Sequence, residues 1–152
     1  MADSLPHLPI VYRLFFLWLE PLMALGGSYL CHFDPVSFLR TMSATASYSP
    51  SNQVIYDQLA ATYVLFAFNE AVVLRVAKDL RVWKAMMIGL LLCDCIHIYG
   101  SWNVLGTRVF TNPFLWRAED RLNLILLWWG LAIRTAFLTG VGLASRGKKR
   151  NM

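Results

Sequence analysis

Apolar residues gather into four long runs along the chain: about Leu8 to Leu30, Val54 to Val76, Trp83 to Trp102 and Leu122 to Ala144. A bilayer core is about 30 Å thick and takes about 20 apolar residues to cross as a helix, so each run is long enough. Backbone groups in hydrocarbon find no water and must pair within their own segment, which predicts four helices. The expected fold class is an all-α membrane protein. It is a four-transmembrane-helix bundle forming one domain over residues 1–152, with a basic tail at 145–152. The connections differ in character. Residues 31–53 read as a polar loop, with turn signals at Asp34-Pro35 and Ser49-Pro50. The short basic link 77–82 predicts a tight antiparallel hairpin of the second and third helices. Residues 103–121 are mixed and break at Asn112-Pro113, with Phe110, Phe114 and Trp116 placed along the interface. The first run lacks a basic leading segment and a small-residue cleavage site, so it is expected to stay as a span.

Composition narrows the class. Of 152 residues, 57% are hydrophobic and only 15% charged, against about 25% charged in soluble domains. Such apolarity excludes a disordered chain, and three cysteines are too few for a disulfide scaffold. The net charge of +5 does not point to nucleic acid, because the basic residues flank the apolar runs. They set topology instead. Arg75, Lys78, Arg81, Lys84, Arg146, Lys148, Lys149 and Arg150 fall on the side of the termini and the 77–82 link. Only Arg40, Arg108, Arg117 and Arg121 fall opposite. The positive-inside rule then puts both termini in the cytosol. The sequence Lys148-Lys149-Arg150-Asn151-Met152 resembles a dilysine signal for the endoplasmic reticulum, with Arg150 where the strict signal has lysine. The alternative is an anchor on anionic lipid.

The informative residues are ionisable groups at membrane depth, where each charge costs roughly 2.5–3.5 kcal/mol on insertion scales. Arg13, Asp57 and Arg75 lie near span ends. Glu20, Glu70, Asp94, His97 and Arg134 do not. At 1.5 Å of rise per residue, Glu20, Asp94 and Arg134 fall near mid-span, Glu70 toward the cytosol and His97 a turn beyond Asp94. Arg13 and Glu20, seven apart, are expected on one face. Asp94 and His97, three apart, are adjacent on another, where the carboxylate can fix the imidazole tautomer. Pro21 removes the hydrogen bond to the Leu17 carbonyl, opening the helix beside a buried acid. Two readings follow. The charges are either ion-paired glue fixing helix register or the lining of a polar cavity that does chemistry.

Other signals are weaker. Cys93 and Cys95 point opposite ways on a helix, and Cys93 with His97 lacks a third ligand, so no metal is expected. Ala132, Ala136 and Gly140 form a small-residue stripe for helix packing, with a homodimer as the lesser alternative. Trp18, Trp128 and Trp129 lie deep enough to offer ring faces to a cation or flat lipid. Asn69 follows about 100° round the helix from Glu70. No phosphate loop, nucleophile elbow or zinc-protease motif is present, and no cofactor is expected.

The segments YRLFFLWLEPLMALGGSYLCHFDP, YVLFAFNEAVVLR and DLRVWKAMMIGLLLCDCIHIYG resemble a fungal family of small four-helix membrane proteins of unknown function. Helix count, size and acids in the first three helices also resemble the EXPERA bundle, which includes the emopamil-binding sterol isomerase and the sigma-2 receptor. That resemblance implies intramembrane carboxylates that hold an amine or a sterol-derived cation. Glu70 would match its second-helix acid and Asp94 its third-helix acid. The chain is shorter than that family, has Asp for a longer Glu, and carries Arg134, which is foreign to the pattern. The expected function is therefore isomerisation or cyclisation of a sterol-like or terpenoid lipid, as in secondary metabolism, in the endoplasmic reticulum. Asp94, assisted by His97, is the expected proton donor, with Glu70 and Glu20 stabilising the cation. Arg134, Trp18, Asn69 and Trp128 are candidate substrate-binding residues. The alternative is a non-catalytic lipid-binding or accessory protein. Expected partners are a membrane lipid or terpenoid, and on the accessory reading other membrane biosynthetic enzymes.

Overall fold

Four helices long and apolar enough to cross a membrane form the body of the protein in a computed structural model, which describes residues 8–143. They are α1 (Ile10–Phe33), α3 (Pro50–Val76), α4 (Leu80–Phe110) and α5 (Ala118–Leu138). A shorter helix, α2 (Pro35–Met42), stands between the first two. The basic tail at 145–152, with the dilysine-like residues, lies outside the described residues.

The expected loop after α1 is thus partly helical. Asp34-Pro35 is the start of α2 rather than a turn. The Asp34 side chain accepts from the Ser37 backbone N–H at 3.1 Å, and Pro35 takes the first helical position, where its missing N–H costs nothing. Hydrogen bonds from the Ser37 side chain and backbone also hold the Asp34 carboxyl below its usual range. The third span is longer than the expected 83–102. It runs to Phe110, and its backbone breaks at Gly106, with φ 72° and ψ 157°, angles that glycine accepts without a Cβ penalty. The fourth span starts and stops earlier than 122–144. Arg117 and Asp120 bind each other at its N-terminus, with Nη2 to Oδ1 at 2.5 Å and the Arg117 backbone N–H to Oδ2 at 3.0 Å. Gly140 and Gly142, both at positive φ, turn the chain after Leu138.

The closest packing is not in the expected hairpin of α3 and α4. It is between α1 and α3, and between α4 and α5. Gly27 lets α1 approach the Tyr63 ring of α3: a Cβ there would stand 3.4 Å from it. Two helix pairs therefore face each other. At the end bearing the α3–α4 link they are wedged by large rings, with Phe137 edge-on to Tyr12 at 5.3 Å and to Phe16 at 5.8 Å, and with buried Trp83 beside it. At the other end Cys31, Phe38 and Ala60 form a second core, and α2 packs on both α1 and α5, bridging the pairs. Large rings at one end and a strap at the other leave space between them. The expected packing stripe does not lie in either core: Ala132 is exposed and Gly140 follows the helix end.

Candidate functional site

Two of the spans carry a wide turn at the level of the gap. In α1 it covers Phe15–Leu19, where the Glu20 N–H reaches back five residues to the Phe15 carbonyl. In α3 it covers Asn69–Val73, with the Leu74 N–H on the Asn69 carbonyl. Such π-type turns are rare, and they occur often at functional sites. The two pack against each other. Pro21 explains the first, since it offers no N–H to the carbonyl behind it. The Leu17 carbonyl left open accepts instead from Arg75 Nη2 at 2.8 Å, while the same guanidinium lies 4.3 Å over the Trp18 ring. The extra residue in the α1 turn also rotates everything after it. Arg13 and Glu20, expected on one face, consequently open onto different cavities.

Glu20, Glu70, Asp94, His97 and Arg134 all line one cavity of about 310 Å³ between the helix pairs. Its walls are mainly apolar, with Met23, Leu30, Phe38, Phe66, Leu90 and Leu127 among them. Arg134 is the hub. Its Nη1 donates to Asp94 Oδ2 at 2.5 Å and its Nη2 pairs with Glu20 Oε1, so one buried guanidinium ties α5 to α4 and α1. Asp94 thus bonds Arg134 rather than His97. Glu70 is 1% exposed, and among the described residues neither of its carboxyl oxygens has a hydrogen-bond partner. The second Glu20 oxygen and Arg134 Nε are also unpartnered. Four acids (Glu20, Glu70, Asp94 and the exposed Glu119) and one arginine lining a mainly apolar cavity make a site short of positive charge. It can donate a proton from the unpaired acid and hold a cation that forms nearby.

Other candidate residues face elsewhere. Trp18 and Trp128 are 58% and 43% exposed, on the outer helix surfaces. Trp128 packs on Phe110. Asn69 is partly buried but does not line the cavity. Their depth along the helix was right for a site while their rotation about it was not. Conversely, Tyr63, Asn123 and Cys93 line the cavity without having been singled out for it. Helical spacing carried that signal: Tyr63 is two turns before Glu70, and Asn123, Leu127, Gly130 and Arg134 follow one another at steps of four, three and four. Asp57, near a span end as expected, accepts from Gln53 at 2.7 Å and pairs with His32 at 2.8 Å.

Gly130 makes room for the hub. A Cβ there would meet Arg134 Nη1 at 2.7 Å, and that nitrogen is already held by Asp94. Gly130→Ala should therefore destabilise the protein by about 1–3 kcal/mol, as overpacking does. Gly89→Ala, where nothing lies within 4 Å, should gain up to about 1 kcal/mol from helix propensity. Unfolding in detergent compares them, and the Gly130 cost should vanish once Arg134 is leucine.

No curated protein and no solved structure matches the chain, and no relationship to a fungal family or to the EXPERA bundle is confirmed. One family profile does match, over residues 5–144. The chain belongs to that family, described as a domain of unknown function (DUF7704).

Proposed function

We propose that this protein is a membrane-embedded isomerase or cyclase of a terpenoid or sterol-like lipid, working by proton transfer and cation stabilisation. The observation behind this reading is the convergence of Glu20, Glu70, Asp94 and Arg134, one from each long helix, on a single apolar-walled cavity; of these four, Glu70 is the one whose side chain has no partner among the described residues. An ionised carboxylate without a counter-ion or hydrogen bonds is costly away from water. Glu70 is therefore the acid best placed to hold and donate a proton, in preference to Asp94, whose carboxylate is engaged by Arg134. The Glu70 O–H bond breaks as a C–H bond forms at one alkene carbon, and the neighbouring carbon becomes cationic. Asp94 and Glu20 provide the negative charge facing it. Loss of an adjacent proton to His97 or to a carboxylate restores an alkene, and return of that proton to Glu70 closes the cycle without any oxidant or reductant.

A volume of about 310 Å³ stands at the lower end of ligand cavities, which run to about 1,000 Å³. It favours a compact isoprenoid unit over a complete polycyclic sterol. The proposed location is the endoplasmic reticulum membrane with both termini cytosolic, on the sequence likeness and the count of basic residues.

The pairing of two acids with one arginine also suits a register-fixing role in a lipid-binding or accessory protein, so the experiment must separate the two. Membranes bearing the protein are incubated in heavy water with linear terpenoid alkenes, terpenoid epoxides and sterols with an isomerisable ring double bond. The expected result is one product carrying a new C–D bond, lost in Glu70→Gln. No deuterium uptake across the panel, together with co-purification of a membrane enzyme in mild detergent, would transfer support to the accessory reading.

A further inference from the structure

A second cavity of about 400 Å³ opens at the end of the bundle where α3 and α4 are joined. Three cations line it: Arg13 from the first turns of α1, Arg75 from the last turn of α3, and Lys78 from the link. Among the described residues no carboxylate lines it. Asp79, the nearest acid in sequence, is turned to Arg81 instead, with Nη2 to Oδ2 at 2.8 Å. The remaining walls are apolar and run down into the membrane-spanning part, with Leu14, Leu17, Trp18 and Leu74 following the helix axes. Trp83 closes one side and is fixed there by its indole N–H on the Ala77 carbonyl at 3.1 Å.

Positive charge at the mouth and hydrocarbon below describe the complement of an amphiphile with an anionic head. We propose that this cleft binds the phosphate headgroup of an anionic phospholipid, with Arg13 and Lys78 taking the phosphate and the acyl chain lying along Leu14 and Trp18. Arg75 forms the floor of the head site. It is already engaged by the Leu17 carbonyl and the Trp18 ring, so it contributes charge at fixed geometry rather than a mobile contact. The three cations come from α1, the end of α3 and the α3–α4 link, and together they face an otherwise apolar groove at the depth where span ends meet headgroups. This assignment stands apart from the acid-lined cavity and does not depend on its chemistry.

The test uses the full chain in neutral detergent, with binding read by native mass spectrometry. The probes are dioleoyl phosphatidic acid, dioleoylglycerol (the same tails without phosphate) and inorganic phosphate (phosphate without tails). Phosphatidic acid should be retained and dioleoylglycerol should not, and inorganic phosphate in tenfold excess should leave the lipid bound. Two basic residues are lost from the headgroup contact, so the double variant Arg13→Gln/Lys78→Gln should bind roughly tenfold or more weakly. Arg108→Gln, an exposed cation at the opposite end, should bind as the parent does. Equal retention of both lipids, displacement by inorganic phosphate, or unchanged binding in the double variant would each overturn the assignment. Trp fluorescence and gel-filtration profiles matching the parent confirm that the double variant is folded.

Discussion

Arg134→Leu should destabilise the folded bundle by about 3–5 kcal/mol, the cost of removing one partner from a buried ion pair. The lost attraction is not the main term. Arg134 is 3% exposed and its guanidinium pairs with acids on α1 and α4, so its removal strands Glu20 and Asp94 in an apolar cavity. Shape adds little, because leucine covers most of the same hydrocarbon. The triple change Arg134→Leu/Glu20→Gln/Asp94→Asn should recover most of the loss, since removing all the charges together removes the penalty that made the pairing necessary. Unfolding of detergent-solubilised protein, followed by tryptophan fluorescence, measures both. A triple variant as unstable as the single one would mean that Arg134 acts through packing rather than charge.

The four spans were legible because hydrocarbon thickness imposes a length on any apolar run, and the five deep ionisable residues were legible because each is expensive there. That they come together was expected from this cost, but which of them pair was not legible. It depends on rotation about each helix, and two wide turns reset that rotation. The α1 turn follows from Pro21, which is visible in the sequence. Its stabilisation, however, comes from Arg75, 58 positions away. No local pattern announces that contact. The α2 helix was missed for a different reason: Asp-Pro begins a turn and a helix with the same two residues, and only the Ser37 N–H on the Asp34 side chain separates the outcomes. Trp18 and Trp128 show the limit of depth as evidence. Neither lines the acid cavity: Trp128 is exposed on the outside, and Trp18 lines the cationic cleft instead. The gap itself arises from which helices pair closely, a choice made by Gly27 against Tyr63 and by the ring wedge around Phe137.

Glu70→Leu should leave the protein as stable as its parent or more so, by up to about 1–3 kcal/mol, while eliminating function. A buried polar group without partners costs about that much, and both Glu70 oxygens are in that condition among the described residues. Leucine removes the penalty at similar volume. Glu70→Gln should preserve the fold and still lack a transferable acidic proton, lowering turnover by at least roughly 10²-fold, the usual share of a general acid. Asp94→Asn is the contrasting case, because it breaks the 2.5 Å pair with Arg134 and should reduce stability and activity together. Paired unfolding curves and deuterium-incorporation rates for the three variants make the distinction. A fold retains an unsatisfied carboxyl against its own stability when the group has other work, and the gain from Glu70→Leu measures how much stability that work has cost. Destabilisation by Glu70→Leu, of the size seen for an ordinary core truncation, would instead make Glu70 a structural residue and remove the proton donor from the proposed reaction.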